Sequence, residues 1–519
     1  MQDYLKIGKA SDLERFKERI VYRIFEILPG FFSLLIIFLA VILSWLFPFW
    51  VALFIITFVI YWFFRTIYFS FYLWTGYKKM EKNEKVDWIE KLNQLPSACY
   101  QISDIDDWKE IYHLIVIPMY EESLLIIKDT LNSIKNSDYP KGKMIIVLGC
   151  EEKVRNSAEP VALEIEKEFK DCFFKFLVTW HPDNIFGEIA GKGSNETWAA
   201  KKAKEFIIDE LKIPYQNIIF SSFDADTCIF PKYFSCLTYY YLTSKEPTRT
   251  SYQPIPFYIN NIWQAPVISR IFAFSSTFWH TMNQERPEKL ITFSSHSMSF
   301  SALTDVGFKQ INVVSDDSRI FWQCFLKYDG NYRVKPIYYP ISMDANAAKN
   351  FIRTMINIYK QQRRWAYGVA DIPYFLFGFI KNKKIPFSKK FNLSFELIGE
   401  HISWTTASIL IFALGWLPLF LGRAEFSQTL ISYNLPRIMS RILTISMIGL
   451  ISSIYFSFLI LPPKPPDYGP FKYLVFIAGW FLFPLTMVFF LSLPAFDAQI
   501  RLMLGKYMGF WVTEKERKE

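Results

Sequence analysis

Cysteine is scarce in this chain, and none of it is placed for chemistry. The six (Cys99, Cys150, Cys172, Cys228, Cys236 and Cys324) fall between apolar blocks, with no pair at the spacing of a zinc site or a redox motif. They are expected to be reduced apolar fillers in a cytosolic region. Charge is missing altogether from Ile27 to Phe64, a run of about 38 residues against the roughly 20 that span a bilayer. A secretory signal has a shorter core and a small-residue cleavage site, so this run reads as a retained membrane hairpin turning at Phe47-Pro48-Phe49. Ionisable residues are also nearly absent from the apolar stretches after Phe395, apart from Glu396, Glu400 and His401 at one edge. A transporter with a regulatory nucleotide-binding domain, the alternative from a different functional class, would carry such residues along its path.

Positive charge is plentiful, with a net +9, but it sits where a membrane protein puts it. Lys6, Lys9, Arg15, Lys17, Arg19 and Arg23 precede the hairpin, and Lys78, Lys79, Lys82 and Lys85 follow it. Basic flanks on both sides place the amino terminus and everything after Lys78 in the cytosol of a multi-pass membrane protein, and leave no role for nucleic acid. The expected organisation is an amphipathic lead-in and hairpin over 1–77, a polar linker over 78–110 and a cytosolic domain over 111–370. An interfacial amphipathic segment over 371–395, membrane helices over 396–497 and a basic tail over 498–519 complete it. Ile402–Leu421, Ile442–Leu461 and Tyr473–Leu493 are each long enough to cross. Three crossings would put the tail outside, whereas Arg501, Lys506, Lys515, Arg517 and Lys518 argue that it is inside. Either Ile402–Leu421 does not fully cross, or the charge rule fails.

Within the cytosolic stretch the pattern is strand, helix, strand. His113–Pro118, Met144–Leu148, Phe174–Thr179 and Ile218–Phe223 are short continuous apolar runs of the kind buried on both faces of a sheet. Leu124, Ile127, Leu131 and Ile134 mark one side of a helix, and Ser194 to Leu211 reads as another. Their alternation predicts an α/β domain with a parallel sheet covered by helices.

The last of those strands ends in Asp224-Ala225-Asp226, two hard oxygen donors at the carboxyl edge where open α/β sheets bind ligands. Such a pair suits Mg²⁺ or Mn²⁺ held against a diphosphate. Four more clusters surround it in sequence. Pro118-Met119-Tyr120-Glu121-Glu122 ends the first strand, where Glu122 could help hold a nucleoside, and Gly191-Lys192-Gly193 opens a helix that favours an anion. Ser315-Asp316-Asp317 begins a further segment, and Gln361-Gln362-Arg363-Arg364-Trp365 lies just ahead of the second membrane block. Singly, each has a duller explanation as a polar turn, a helix cap or a headgroup anchor.

Jointly, and in this order, the clusters resemble the membrane-integral family 2 glycosyltransferases, the group that includes cellulose and hyaluronan synthases. The likeness rests on Asp224-x-Asp226, then Asp317, then Gln-x-x-Arg-Trp at Gln361, Arg364 and Trp365. It implies a glycosyltransferase A-type, Rossmann-like domain inserted between transmembrane helices. The implied activity is inverting, metal-dependent transfer from a nucleotide sugar, UDP-linked in most of the family, to a growing glycan. Transfer of a single sugar to a lipid-linked acceptor is the alternative. By the same resemblance Asp224 contacts the nucleotide and, with Asp226, the metal. Asp317 is the general base beside Asp316, Gln361 and Arg364 hold the pyrophosphate, and Trp365 borders the acceptor.

Two departures stand out. Asp316 replaces the usual Glu, and Gly149-Cys150-Glu151-Glu152 lacks the Asp that commonly reads the base. His296, in Phe293-Ser294-Ser295-His296-Ser297, stands in the acceptor-loop position, either touching substrate or serving as a hydrogen-bonded structural residue. Oligomeric state, linkage and the sugar itself are not encoded in any of these features.

Overall fold

A computed structural model describes residues 3–466, 468–469, 471–513 and 517. Eight strands form one sheet: β1 (Tyr112–Met119), β2 (Met144–Glu151), β3 (Lys175–His181), β4 (Ile218–Ser222), β5 (Cys228–Ile229), β6 (Thr250–Tyr258), β7 (Ser297–Ser299) and β8 (Arg333–Met343). Their order is β3-β2-β1-β4-β7-β6-β8-β5. The half from β3 to β4 is parallel, as the buried apolar runs predict. The other half is mixed, because β7 runs antiparallel to both β4 and β6, and β5 antiparallel to β8. The all-parallel expectation is corrected to that extent. Alternate side chains of β1 feed two cores: Leu114 and Val116 pack with Ala199, Ala200 and Phe220 on one face, and Ile115 and Ile117 with Ile127 and Leu131 on the other. A curled sheet buried on both faces and flanked by long apolar helices is the glycosyltransferase A-type, Rossmann-like arrangement.

Among the described residues, four helices are long and apolar enough to cross a membrane: Phe16–Leu46, Pro48–Lys85, Leu430–Ile460 and the composite Phe471–Met503. Phe387–Phe412 and Leu414–Leu421 make a fifth candidate bent by 50°. The hairpin turns at Phe47-Pro48, where the helix-starting proline predicts it. Contacts order the rest along the hairpin. The bent helix ends beside its turn, with Arg423 over the Trp45 ring at 5.5 Å. Leu430–Ile460 then runs back, through Ser452 against Ser70 at 3.2 Å, to Phe456 against Trp74 at 6.1 Å between ring centres. The final segment begins near the sheet, where Phe476 meets Trp263 at 5.1 Å. It dips to Ser492, whose hydroxyl donates to the Trp404 carbonyl, and ends where Arg23 donates to the Leu502 carbonyl at 2.9 Å. Both of its ends therefore lie on the sheet's side.

Two segments expected at the membrane surface pack against the domain. Asp371–Lys381 buries Ile372, Tyr374, Phe375 and Phe377, packs Phe375 against Trp322 at 4.7 Å and pairs Asp371 with Arg319 at 2.6 Å. A helix apolar all round is drawn into a core rather than laid on an interface. The lead-in docks likewise, with the Leu5 and Ile7 carbonyls accepting from Tyr374 and Arg319. The linker opens inside the second hairpin helix, which runs unbroken to Lys85.

Candidate active site

The carboxyl end of β4 is where the chain gathers its charge. Asp224 leaves the strand in a turn closed by Thr227, whose hydroxyl accepts from the Asp224 N–H at 3.1 Å. Its two oxygens face different partners: Oδ1 lies 2.5 Å from the Lys192 ammonium, and Oδ2 accepts from the Ser294 hydroxyl at 2.7 Å. Lys192 opens the helix Lys192–Ala203 directly after Gly191, and it also reaches Asp317 Oδ2 at 3.0 Å. Residues 192, 224 and 317, far apart in sequence, thus share one ammonium.

Behind them lies a second cation that the motif reading did not single out. Lys309, fully buried, contacts Glu196 at 2.6 Å, Asp316 at 2.9 Å and Asp317 at 2.8 Å, and donates to the Ser222 hydroxyl at 2.9 Å. Glu196, Asp316 and Asp317 each offer an oxygen within 4.8 Å of the others, a grouping that could hold a metal ion, yet here the Lys309 ammonium stands among them. Burial alone would raise the Asp317 pKa, but the ammonium groups of Lys192 and Lys309 win and hold its carboxyl well below the usual carboxylate range. Burial and the Asp317 charge push Asp316 the other way.

Asp226 is buried, and its Oδ2 accepts from the Asp344 N–H at 2.8 Å. Its hard oxygens and those of Asp224 are the donor type that Mg²⁺ and Mn²⁺ prefer. His296 packs against the same cluster, 3.8 Å from Asp317, while its Nδ1–H donates to the Phe293 carbonyl at 2.8 Å. Burial first, and then the Lys309 charge, lower its pKa to about 3, so the ring is neutral. Arg364 feels the charges of Asp224, Asp316 and Asp317, although burial lowers its pKa overall. Gln361 accepts from the Asn346 amide at 3.2 Å, and Trp365 stands 6.2 Å from the Tyr258 ring. Glu122 accepts from the Tyr120 N–H at 2.6 Å, closing the turn at the end of β1.

Two further features escaped the sequence reading. At the end of β2, Glu151 is fully engaged, with Oε1 accepting from Asn195 at 2.9 Å and Oε2 lying 2.9 Å from His181. The glutamate at this strand end is therefore locked into the protein rather than turned to a ligand. The second feature is the carboxyl-terminal segment, which folds over the site. Phe510 lies on Gly191 so closely that a Cβ there would overlap its ring, and the Arg364 guanidinium sits 4.7 Å from the same ring. Arg517 binds Asp344 at 2.8 Å and also contacts Asp129. Lys515 and Lys518, invoked for the charge of the tail, lie outside the described residues.

No family model matches the sequence, and no curated protein sequence does either. Solved structures that match include a mannosyltransferase from Pyrobaculum calidifontis in complex with GDP-mannose and Mn²⁺, at 13% identity and TM-score 0.37, over 81% of this chain and 99% of that one. They also include residues 1–349 of S. aureus TarS in complex with UDP-GlcNAc, at 11% identity and TM-score 0.36, over 67% of this chain and 92% of the other.

Proposed function

We propose that the chain is a membrane-bound, inverting glycosyltransferase that takes a sugar from a nucleotide-sugar donor and passes it to a glycan at the cytosolic face. The observation that carries this reading is the convergence of Asp224 and Asp317 on Lys192, with Arg364 within electrostatic reach. Breaking an anomeric C–O bond leaves a nucleoside diphosphate, and a guanidinium and an ammonium stabilise its growing charge. A divalent ion held by Asp224 and Asp226 would supply further neutralisation of the diphosphate when bound.

The general base is Asp317, ionised and facing the same space. In the resting arrangement its charge is spent on Lys192 and Lys309. A donor diphosphate competes for Lys192, and loosening that contact raises the basicity of Asp317 as the acceptor hydroxyl arrives. Proton removal is thereby tied to donor binding. Attack opposite the leaving group inverts the anomeric centre, and Trp365 offers an indole face to the acceptor sugar. With Glu151 engaged by Asn195 and His181, base recognition falls to other groups, so the donor screen must include GDP- as well as UDP-sugars.

The test is turnover by purified protein with Mn²⁺ or Mg²⁺. Asp317→Asn should lower transfer by about 10²–10⁴-fold, the usual worth of a general base, while the donor Kd changes little. Failure of the unaltered protein to bind or cleave any nucleotide sugar sinks the reading. Loss of donor binding in the Asn variant removes Asp317 from the role of base.

A further inference from the structure

His181 has no part in the transfer chemistry, yet it stands between the two carboxylates that grip the segment carrying Lys192. The ring is buried at the end of β3, with Nδ1 2.9 Å from Glu151 Oε2 at the end of β2 and Nε2 2.9 Å from Glu188 Oε1 in the loop after β3. A neutral imidazole has one N–H to give, so serving both carboxylates takes the doubly protonated ring. Glu188 lies four residues before Lys192, in a loop tied down next door by the Ile189 N–H, which donates to the Ile311 carbonyl at 2.9 Å. Glu151 takes hold on the other side of Lys192. Its Oε1 accepts from the Asn195 amide at 2.9 Å, three residues after the lysine, and the same amide donates to the Gly149 carbonyl at 3.0 Å.

Glu151 and Glu188 are the charged groups that face the ring. The helix Lys192–Ala203 presents only the uncharged Trp198 to it, at 5.9 Å between ring centres, and Asp183 is exposed. Arg155 lies over the Trp180 ring and is paired with Glu152 and Glu159. Burial pushes the His181 pKa down, but Glu151 and then Glu188 outweigh it and raise the pKa above its ordinary value. Burial raises the pKa of Glu188, against the pull of the His181 charge. Once the ring loses its proton, two largely buried carboxylates flank a neutral group, which is costly. Glu151 and His181 are neighbours in the sheet register, so the loop holding Glu188 is the part that gives way.

We infer that His181 is a positioning residue for the donor: as the shared partner of Glu151 and Glu188, it keeps Lys192 turned toward Asp224 and Asp317, where a nucleoside diphosphate meets it. This role rests on the glycosyltransferase reading. It ties donor affinity to the protonated ring, so affinity falls as pH rises.

The experiment is calorimetric titration of the full-length protein in detergent with UDP and with GDP, each with Mg²⁺, from about pH 7 to about pH 9. The nucleotide that binds should weaken by about 5-fold or more over that range, the low end of ordinary coupling between linked groups. His181→Gln, which keeps a donor but no charge, should bind weakly at every pH with a flat profile. Glu188→Gln removes one of the two carboxylates that hold the proton on the ring, so the midpoint of the fall should move to lower pH; this variant also serves if His181→Gln does not fold. A flat profile in the parent, or a profile in either variant that matches a falling one in the parent, overturns the role of His181 and leaves the functional reading standing. Binding of neither nucleotide by the parent at any pH sinks that reading, and this inference with it.

Discussion

Lys309 shows how much one side chain can hold together. Its ammonium is the shared counter-ion of buried Glu196 and Asp316 and of the partly exposed Asp317. Replacing it with Met leaves three carboxylates facing one another. Breaking a buried ion pair from one side costs roughly 3–5 kcal/mol, so Lys309→Met should unfold at a clearly lower Tm. Mn²⁺ should restore part of that loss, because three carboxylate oxygens within 4.8 Å of one another are left without the ammonium. A Met variant as stable as the parent would show that the ammonium does not act as the counter-ion its contacts make it. His181 makes a second case at this scale. It is buried, 2.9 Å from Glu151 and 2.9 Å from Glu188. Burial pushes its pKa down, but the two glutamates prevail and raise it above the ordinary value. A histidine whose folded pKa is raised stabilises the fold fully below its unfolded pKa of about 6.5 and loses that contribution as pH rises through the folded value. Tm should therefore fall as pH climbs above neutrality, and His181→Gln should flatten the slope. An unchanged slope in the variant would assign the effect to other groups.

Short elements place those side chains, and a glycine decides how closely they approach. A Cβ on Gly193 would lie 2.5 Å from Asp316 Cβ, so the turn carrying Lys192 and the start of the helix Asp316–Lys327 touch through a missing side chain. Gly193→Ala must push the two apart at a cost of about 1–3 kcal/mol, the range for overpacking. Turnover should fall further than stability does, because Lys192 and Asp317 sit on the separated pieces, and a steady-state assay alongside Tm distinguishes the two. The first four strands and the acids at the end of β4 were legible because strands buried on both faces leave continuous apolar runs. β5 and β7 were not, since two- and three-residue strands have no period to read. Lys309 was invisible for another reason: a lone lysine in Phe308-Lys309-Gln310 carries no pattern, and only the fold makes it a counter-ion. The helix Val267–Asn283 mixes serines, a histidine and an arginine with aromatics, so neither a soluble nor a spanning template selects it. The tail over the site was read only as positive charge, because aromatic contacts such as Phe510 on Gly191 depend on chain ends meeting in space.

At the scale of the whole molecule the question is which loops share a side. Three crossings after the domain conflict with a basic tail, and the contacts bring both ends of the last segment to the sheet's side. The bent helix Phe387–Leu421 reaches the hairpin turn, Leu430–Ile460 returns, and Phe471–Met503 has Trp263 near one end and Arg23 at the other. Beyond it, the Tyr507 hydroxyl donates to Glu26 at 2.8 Å, and the Met508 N–H donates to the Tyr367 hydroxyl at 3.3 Å. A tail holding those partners cannot be across a bilayer from them. A topology with two crossings before the domain and two after it would satisfy the positive flanks at both ends. Single cysteines introduced at Phe47 and at Glu425 in a cysteine-free background should react with an impermeant maleimide from one side of sealed membranes. Those at Asn93 and Lys506 should react only from the other. Labelling of Lys506→Cys together with Phe47→Cys would mean that the last segment crosses, and would pull the tail away from Arg364 and the rest of the site.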